Sequence, residues 1–299
     1  MDNIIMRWYN QNRKIIWIVI LTVVGIIALI QTLNNNYEND KNTISNSVTT
    51  YSKDNYSVIT REEINETTSE ESISLITNFI KYCNNQEIEK AYDLLSTQCK
   101  EELYPTINDF NTNYYSRIFT EQKSYNSTLW INASNSITYR IEIMADLLAT
   151  GKKENMPIED YYTIVYEDGK YKLNISRFIG KEEINISNSK SNIAVNVISK
   201  KQYMDYELYE IEVQNNTETK LTFNTKKDTN SVYIQDENGV KYIAFLNEIP
   251  DNNLEILNGI TNDLEIKFNR GYKPDIDIKR IVFGDIKSGS ETQKIEIEL

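Results

Sequence analysis

Between Ile15 and Leu33 the chain reads IIWIVILTVVGIIALIQTL, nineteen residues without a charge. At about 1.5 Å of rise per residue, a helix of that length covers roughly the 30 Å hydrocarbon core of a bilayer. The β-branched Ile and Val are no handicap in lipid, where a single segment can satisfy its backbone only as a helix. Trp17 stands at the level of the interface. Asp2, Arg7, Arg13 and Lys14 precede the span, and the neutral-to-acidic NNNYENDK comes after it. The positive-inside rule therefore keeps residues 1–14 in the cytoplasm and puts residues 34–299 outside. A cleaved signal peptide would have a shorter apolar region, about 7–15 residues, ending at small residues of the Ala-x-Ala kind. Gln31-Thr32-Leu33-Asn34 offers no such site, and the first cysteine able to take a lipid is as distant as Cys83. The expectation is an uncleaved, single-pass transmembrane helix at 15–33.

Residues 34–299 have room for about two ordinary domains. With 40% hydrophobic and 25% charged residues the chain has the composition of a globular protein. Its net charge is −12, and because the tail ahead of the span is positive, the acidic excess lies beyond it. An acidic exterior repels phosphate backbones, so no nucleic-acid partner is expected. Two cysteines cannot build a disulfide scaffold, and the absence of histidine removes the usual general base and the commonest metal ligand.

Residues 34–71 are polar without a sustained period and read as a flexible stalk. Thr68-Ser69-Glu70-Glu71 then matches a capping box ahead of Ile73, Ile76, Ile80 and Cys83 at helical spacing. A short turn at 84–86 leads to a second helix with Ile88, Ala91, Tyr92, Leu95 and Cys99 on one face. A third carries Ile107, Phe110, Tyr114 and Ile118 behind Pro105 and Thr106. The period changes to two at 137–147, a long strand with one buried face, and residues 161–175 read as a hairpin turning on Asp168-Gly169. Helices ahead of an antiparallel sheet predict an α+β domain over 72–186. The Ser, Asn and Lys run at 187–192 reads as a linker. Strand candidates then fall at 193–199, 206–214, 218–225, 231–236, 240–246, 262–269, 276–284 and 292–298, the pattern of an all-β sandwich over 193–299.

The helical run LITNFIKYCNNQEIEKAYDLLSTQCKEELYPTINDF, with Ala91 to Ser96, the Pro-Thr pair and Phe110, resembles the opening of NTF2-like domains. The resemblance covers about residues 72–185 and implies an α+β cone. The C-terminal half resembles Ig-like modules of Gram-positive surface proteins, without the Cys and Trp of antibody domains. The Asn, Ile, Lys and Tyr bias resembles that of a low-GC Gram-positive bacterium, which would make the sequons at Asn126, Asn132 and Asn174 accidents of composition. A short cytoplasmic tail, one span and NTF2-like external domains also resemble conjugation and type IV secretion scaffolds and the modules after the anchor of some penicillin-binding proteins. Here the transpeptidase domain is missing.

Few residues suggest chemistry. Cys83 and Cys99 sit on apolar stripes, and a helical hairpin would hold them roughly 18–20 Å apart, beyond the reach of a disulfide. Ser187-Asn188-Ser189-Lys190 matches S-x-x-K, but lies in a polar stretch without a Lys-Thr-Gly or Ser-Asp-Asn partner. Glu142 and Asp146 share the polar side of their strand with Arg140. Some NTF2-like folds are isomerases and dehydratases with an acid–base set in the cone, so one of these carboxylates could serve there. Asp275 and Asp277 after Pro274 are a weak cation pair. No phosphate loop, CxxC pair or basic patch is present. The sequence thus predicts no catalytic residue, no cofactor and no metal. The leading expectation is a non-catalytic binding or scaffold protein held at the outer face of the cell membrane, with envelope proteins as partners. The alternatives are a conjugation or type IV secretion component and a small-ligand-binding or isomerase-like cone.

Overall fold

The computed structural model describes residues 50–51, 55–151, 156–223 and 230–299. The cytoplasmic tail 1–14, the span 15–33 and stalk residues 34–49 and 52–54 lie outside them. Among the described residues no helix is long and apolar enough to cross a membrane.

The first helix, α1 (Glu66–Asn84), opens earlier than the capping-box pattern predicts. Asn65 is its N-cap, the side chain accepting from Thr68 N–H at 2.8 Å. The stalk also ends sooner than expected. Val58 and Ile59 donate to the carbonyls of Leu129 and Trp130, and Ile64 is buried, so residues 55–65 belong to the folded part. The second predicted helix is two, α2 (Ile88–Asp93) and α3 (Thr97–Leu103). Between them Leu173 donates to Leu94 O and accepts from Ser96 N–H, a strand-like pairing that breaks the helix. Ser96 then caps α3 through Cys99 N–H at 3.0 Å. Thr106 and Asp109 form a reciprocal capping box for α4 (Ile107–Phe110), which continues through a π turn at Asn111–Tyr115.

Five strands form the first sheet: β1 (Thr50–Tyr51), β2 (Lys123–Ala133), β3 (Ser136–Ala145), β4 (Ile158–Glu167) and β5 (Lys170–Asn174), paired in that order. Within it β1 joins in parallel and the other pairs are antiparallel. The helices cover one face of this sheet, and Ile76, Phe79, Ile80, Cys83, Phe110 and Tyr114 meet Tyr125, Tyr139, Ile141 and Tyr162 in one core.

β6 (Phe178–Lys190), β7 (Ile193–Tyr203), β8 (Glu207–Asn215) and β13 (Thr261–Phe268) make a four-stranded antiparallel sheet in the order β13-β8-β7-β6. A third sheet holds β9 (Leu221–Phe223), β10 (Val232–Asp236), β11 (Lys241–Ile243), β12 (Glu255–Ile256), β14 (Ile278–Ser288) and β15 (Glu291–Glu298). Inward residues of these two sheets, among them Val195, Ile211, Ile266, Ile234, Phe283 and Ile297, form a second core. The overall class is α+β, with a few helices and mostly antiparallel sheets.

The linker expected at 187–192 is not one. Ser187–Lys190 is the end of β6, and Ser191 and Asn192 form a two-residue turn with both φ positive, at 51° and 61°. Asn tolerates the left-handed region, and two such residues suit the hairpin turn that matches strand twist. Composition alone made this turn look like a tether. The strand itself starts in the first core, where Phe178 is buried, and ends on the second sheet. Both cores lie within one compact unit, Thr49–Leu299. Side chains reinforce the junction: Glu102 of α3 reaches Lys181 at 3.0 Å and Lys201 at 2.9 Å, and Lys201 also pairs with Glu210 at 2.5 Å.

Candidate functional site

The residues singled out by sequence do not converge. Arg140 pairs with Glu142 at 3.0 Å and with Glu159 of the next strand, on the face of the sheet away from the helices. Asp146 caps a one-turn helix, Leu147–Thr150, accepting from Leu148 and Ala149 N–H. Neither carboxylate enters the core between helices and sheet. Cys83 and Cys99 are buried and unbonded to each other. Burial pushes both thiols up, that of Cys99 to about 12. Ser187, Asn188, Ser189 and Lys190 are all exposed on β6, where Asn188 and Lys190 donate to backbone carbonyls of β15. Asp275 and Asp277 have no further acidic or thiol partner that would complete a metal site among the described residues.

A different carboxylate occupies the interior. Asp160 on β4 is buried, and its oxygens accept from the backbone N–H groups of Tyr161 (2.8 Å), Arg177 (3.0 Å) and Ser176 (3.2 Å) and from the Tyr114 hydroxyl (3.3 Å). Tyr114 and Tyr162 share a hydrogen bond of 2.5 Å between hydroxyls, as do Tyr104 and Ser176. Burial pushes Asp160 up to about 6, while these donors oppose the shift by favouring the charged form. Burial likewise raises Tyr104, Tyr114 and Tyr162. The signal for Asp160 was available: the alternation that turns Tyr162 and Ile164 inward also turns residue 160 inward.

The Asp–Tyr set has the residue types of an acid–base site, yet its surroundings are solid. Phe79 packs against Phe110, Tyr114 and Tyr162 with ring centroids 5.6–6.2 Å apart. Tyr104 closes on Phe110 at 5.7 Å and on Tyr114 at 6.1 Å. Aromatic rings thus fill the space beside the carboxyl. What Asp160 holds is backbone. Ser176 and Arg177 both have positive φ, 58° and 62°, so their N–H groups form a nest around the carboxylate. That turn launches β6 toward the second core, and Arg177 O also accepts from Met204 N–H at 2.8 Å. The carboxylate is a structural pin for the junction.

The open feature of the first half lies elsewhere. α1 and the β4–β5 hairpin border a recess of about 830 Å³, with Glu70, Glu71 and Asn78 on one side and Tyr166, Lys170 and Tyr171 on the other. A second recess of about 460 Å³, bordered by Glu63, Asn65 and Asn132, shares the same two tyrosines. Tyr166 and Tyr171 meet edge to face at 5.2 Å, and Tyr166 is 67% exposed. The hairpin is set by Asp168 and Gly169, with φ of 49° and 78°. An aromatic wall facing carboxylates suits a cationic side chain, through ring-face attraction and ion pairing together. Tyr166 and Tyr171 are cross-strand partners at the end of a hairpin, while the carboxylates come from a helix far earlier in the chain, so the wall has no signature in linear sequence.

No family model, curated protein or solved structure matches the chain.

Proposed function

We propose that the chain is a single-pass membrane protein, N-terminus cytoplasmic, whose residues 34–299 stand outside and bind an envelope protein without catalysis. The uncharged stretch Ile15–Leu33 and the basic residues ahead of it support the anchor and its orientation. The observation that carries the non-catalytic reading is the filled interior. The acid–base-like groups Asp160, Tyr114 and Tyr162 are spent on one another and on backbone, with rings packed where a substrate would sit. This favours a binding role over an isomerase-like or dehydratase-like cone. Helices packed on one face of a five-stranded sheet support the NTF2-like reading of the first half, and two antiparallel sheets sharing one core support the Ig-like reading of the second.

The partner segment sits against Tyr166 and Tyr171 and carries a Lys or Arg toward Glu70 and Glu71. A photo-cross-linking residue in place of Tyr166, in the full chain in its native membrane, should give a discrete adduct with one envelope protein. Charge reversal by Glu70→Lys with Glu71→Lys should abolish it. An absent adduct, or one indifferent to the reversal, would refute the assignment.

A further inference from the structure

The recess between α1 and the β4–β5 hairpin carries opposite charges on its two sides. Glu70 and Glu71 stand on the α1 side and Lys170 on the hairpin side. All three are exposed, and none has an ion-pair partner among the described residues. A segment that brings only a Lys or Arg to the two carboxylates therefore also meets Lys170, whose charge opposes it. The occupant that neutralises both sides carries a cation and a carboxylate in the complementary arrangement. The chain itself has that pattern.

The shape of the site agrees. Glu70, Glu71, Ser74, Leu75 and Asn78 line the recess along one face of α1. Glu70 to Asn78 covers about 12 Å at helical rise. The two strands of a hairpin are only about 4.8 Å apart. The hairpin is also fixed at its base: Thr97 N–H donates to Glu167 at 3.0 Å, and Lys172 Nζ donates to Asp93 O at 2.6 Å. At its tip Tyr166, Asp168, Gly169 and Lys170 are exposed. A tip held in this way loses little freedom on docking. Two copies related by a twofold axis can each seat this tip in the other's recess. The elements then follow one another as helix, hairpin, hairpin, helix, and each hairpin lies between the helix and the hairpin of the other copy. Such an isologous contact needs a self-complementary patch, which the opposed charges supply.

From this we infer that the occupant of the recess is a second copy of this chain, with Lys170 of each copy set against Glu70 and Glu71 of the other and the two Tyr166 rings meeting near the axis. The inference deepens the partner-binding reading above and rests on it. The basic side chain expected at the tyrosine wall is then Lys170.

The test uses the full chain in its native membrane, expressed as two differently tagged copies with the photo-cross-linking residue in place of Tyr166. The expected adduct carries both tags. Lys170→Glu in both copies, or Glu70→Lys with Glu71→Lys in both, should lower it about tenfold or more, because like charges then face each other. A copy with Glu70→Lys and Glu71→Lys beside a copy with Lys170→Glu should restore the two-tag adduct, since every contact is again between opposite charges. An adduct only with a different envelope protein would overturn the second copy as occupant and leave the partner-binding reading standing. No adduct at all would overturn both. A two-tag adduct that resists the like-charge variants, or that the mixed pair fails to restore, would overturn the pairing of Lys170 with Glu70 and Glu71.

Discussion

The carboxyl of Asp160 makes the junction pH-dependent in a calculable way. Its folded-state pKa is raised from 3.8 to about 6 by burial. At about 1.4 kcal/mol per unit this corresponds to roughly 3 kcal/mol. Because the shift is upward, the contribution is fully present below 3.8 and is lost as pH rises through about 6. Between about pH 4 and pH 7.5 most of it, about 2 kcal/mol, should disappear from the wild type. Asp160→Asn removes the titration. The amide keeps one oxygen for Tyr161 and Arg177 but turns its NH2 toward Ser176 N–H and the Tyr114 hydroxyl, a loss of about 1–3 kcal/mol. The variant should therefore be clearly less stable than the wild type at about pH 4 and nearly equal to it at about pH 7.5. Urea unfolding of the chain from Asn34 onward, monitored by Trp130 fluorescence at several pH values, measures both curves. Other carboxylates titrate equally in the two proteins and cancel in the difference. Parallel curves would refute the assignment of Asp160 as the raised, buried acid.

Two further outcomes are expected. Arg270 and Glu207 form a buried ion pair, with Tyr209 also donating to Glu207 at 3.0 Å, so Arg270→Met strands a buried carboxylate. It should cost about 3–5 kcal/mol in urea unfolding, and Arg270→Met with Glu207→Leu should recover most of that. The native protein at about pH 8, close to the ordinary thiol range, should give no fast thiol reaction with an aromatic disulfide reagent, and Cys83 and Cys99 should both react once urea unfolds it. A fast-reacting thiol in the native state would contradict the burial of both cysteines.

Much of the architecture was legible in the sequence. Alternation located β3 and most of the C-terminal strands, and Asp168-Gly169 located a hairpin, because period and turn chemistry act locally. β2 was not legible: its inward positions include Lys123 and Ser127, which interrupt the apolar alternation. The break between α2 and α3 was hidden for another reason. The residues at 94–96 suit a helix, and a distant strand, through Leu173, takes their backbone groups. The Ser-Asn-Lys run of β6 looked like a tether because an exposed edge strand needs no apolar residues. For the site, sequence located neither Asp160 nor the tyrosine wall. The wall depends on residues brought together from widely separated elements, whereas Asp160 shares the inward parity of Tyr162 and Ile164 on β4, an alternation that marks its face but not its partners Tyr114, Ser176 and Arg177.

Whether one span holds the folded part outside the cell can be read from a single protection assay. Protease is added to intact protoplasts of cells expressing the chain with tags at both termini. The expected result is loss of the C-terminal tag and survival of a small membrane-bound stub carrying the N-terminal tag. Full protection of the C-terminal tag until the membrane is permeabilised would contradict the proposed topology.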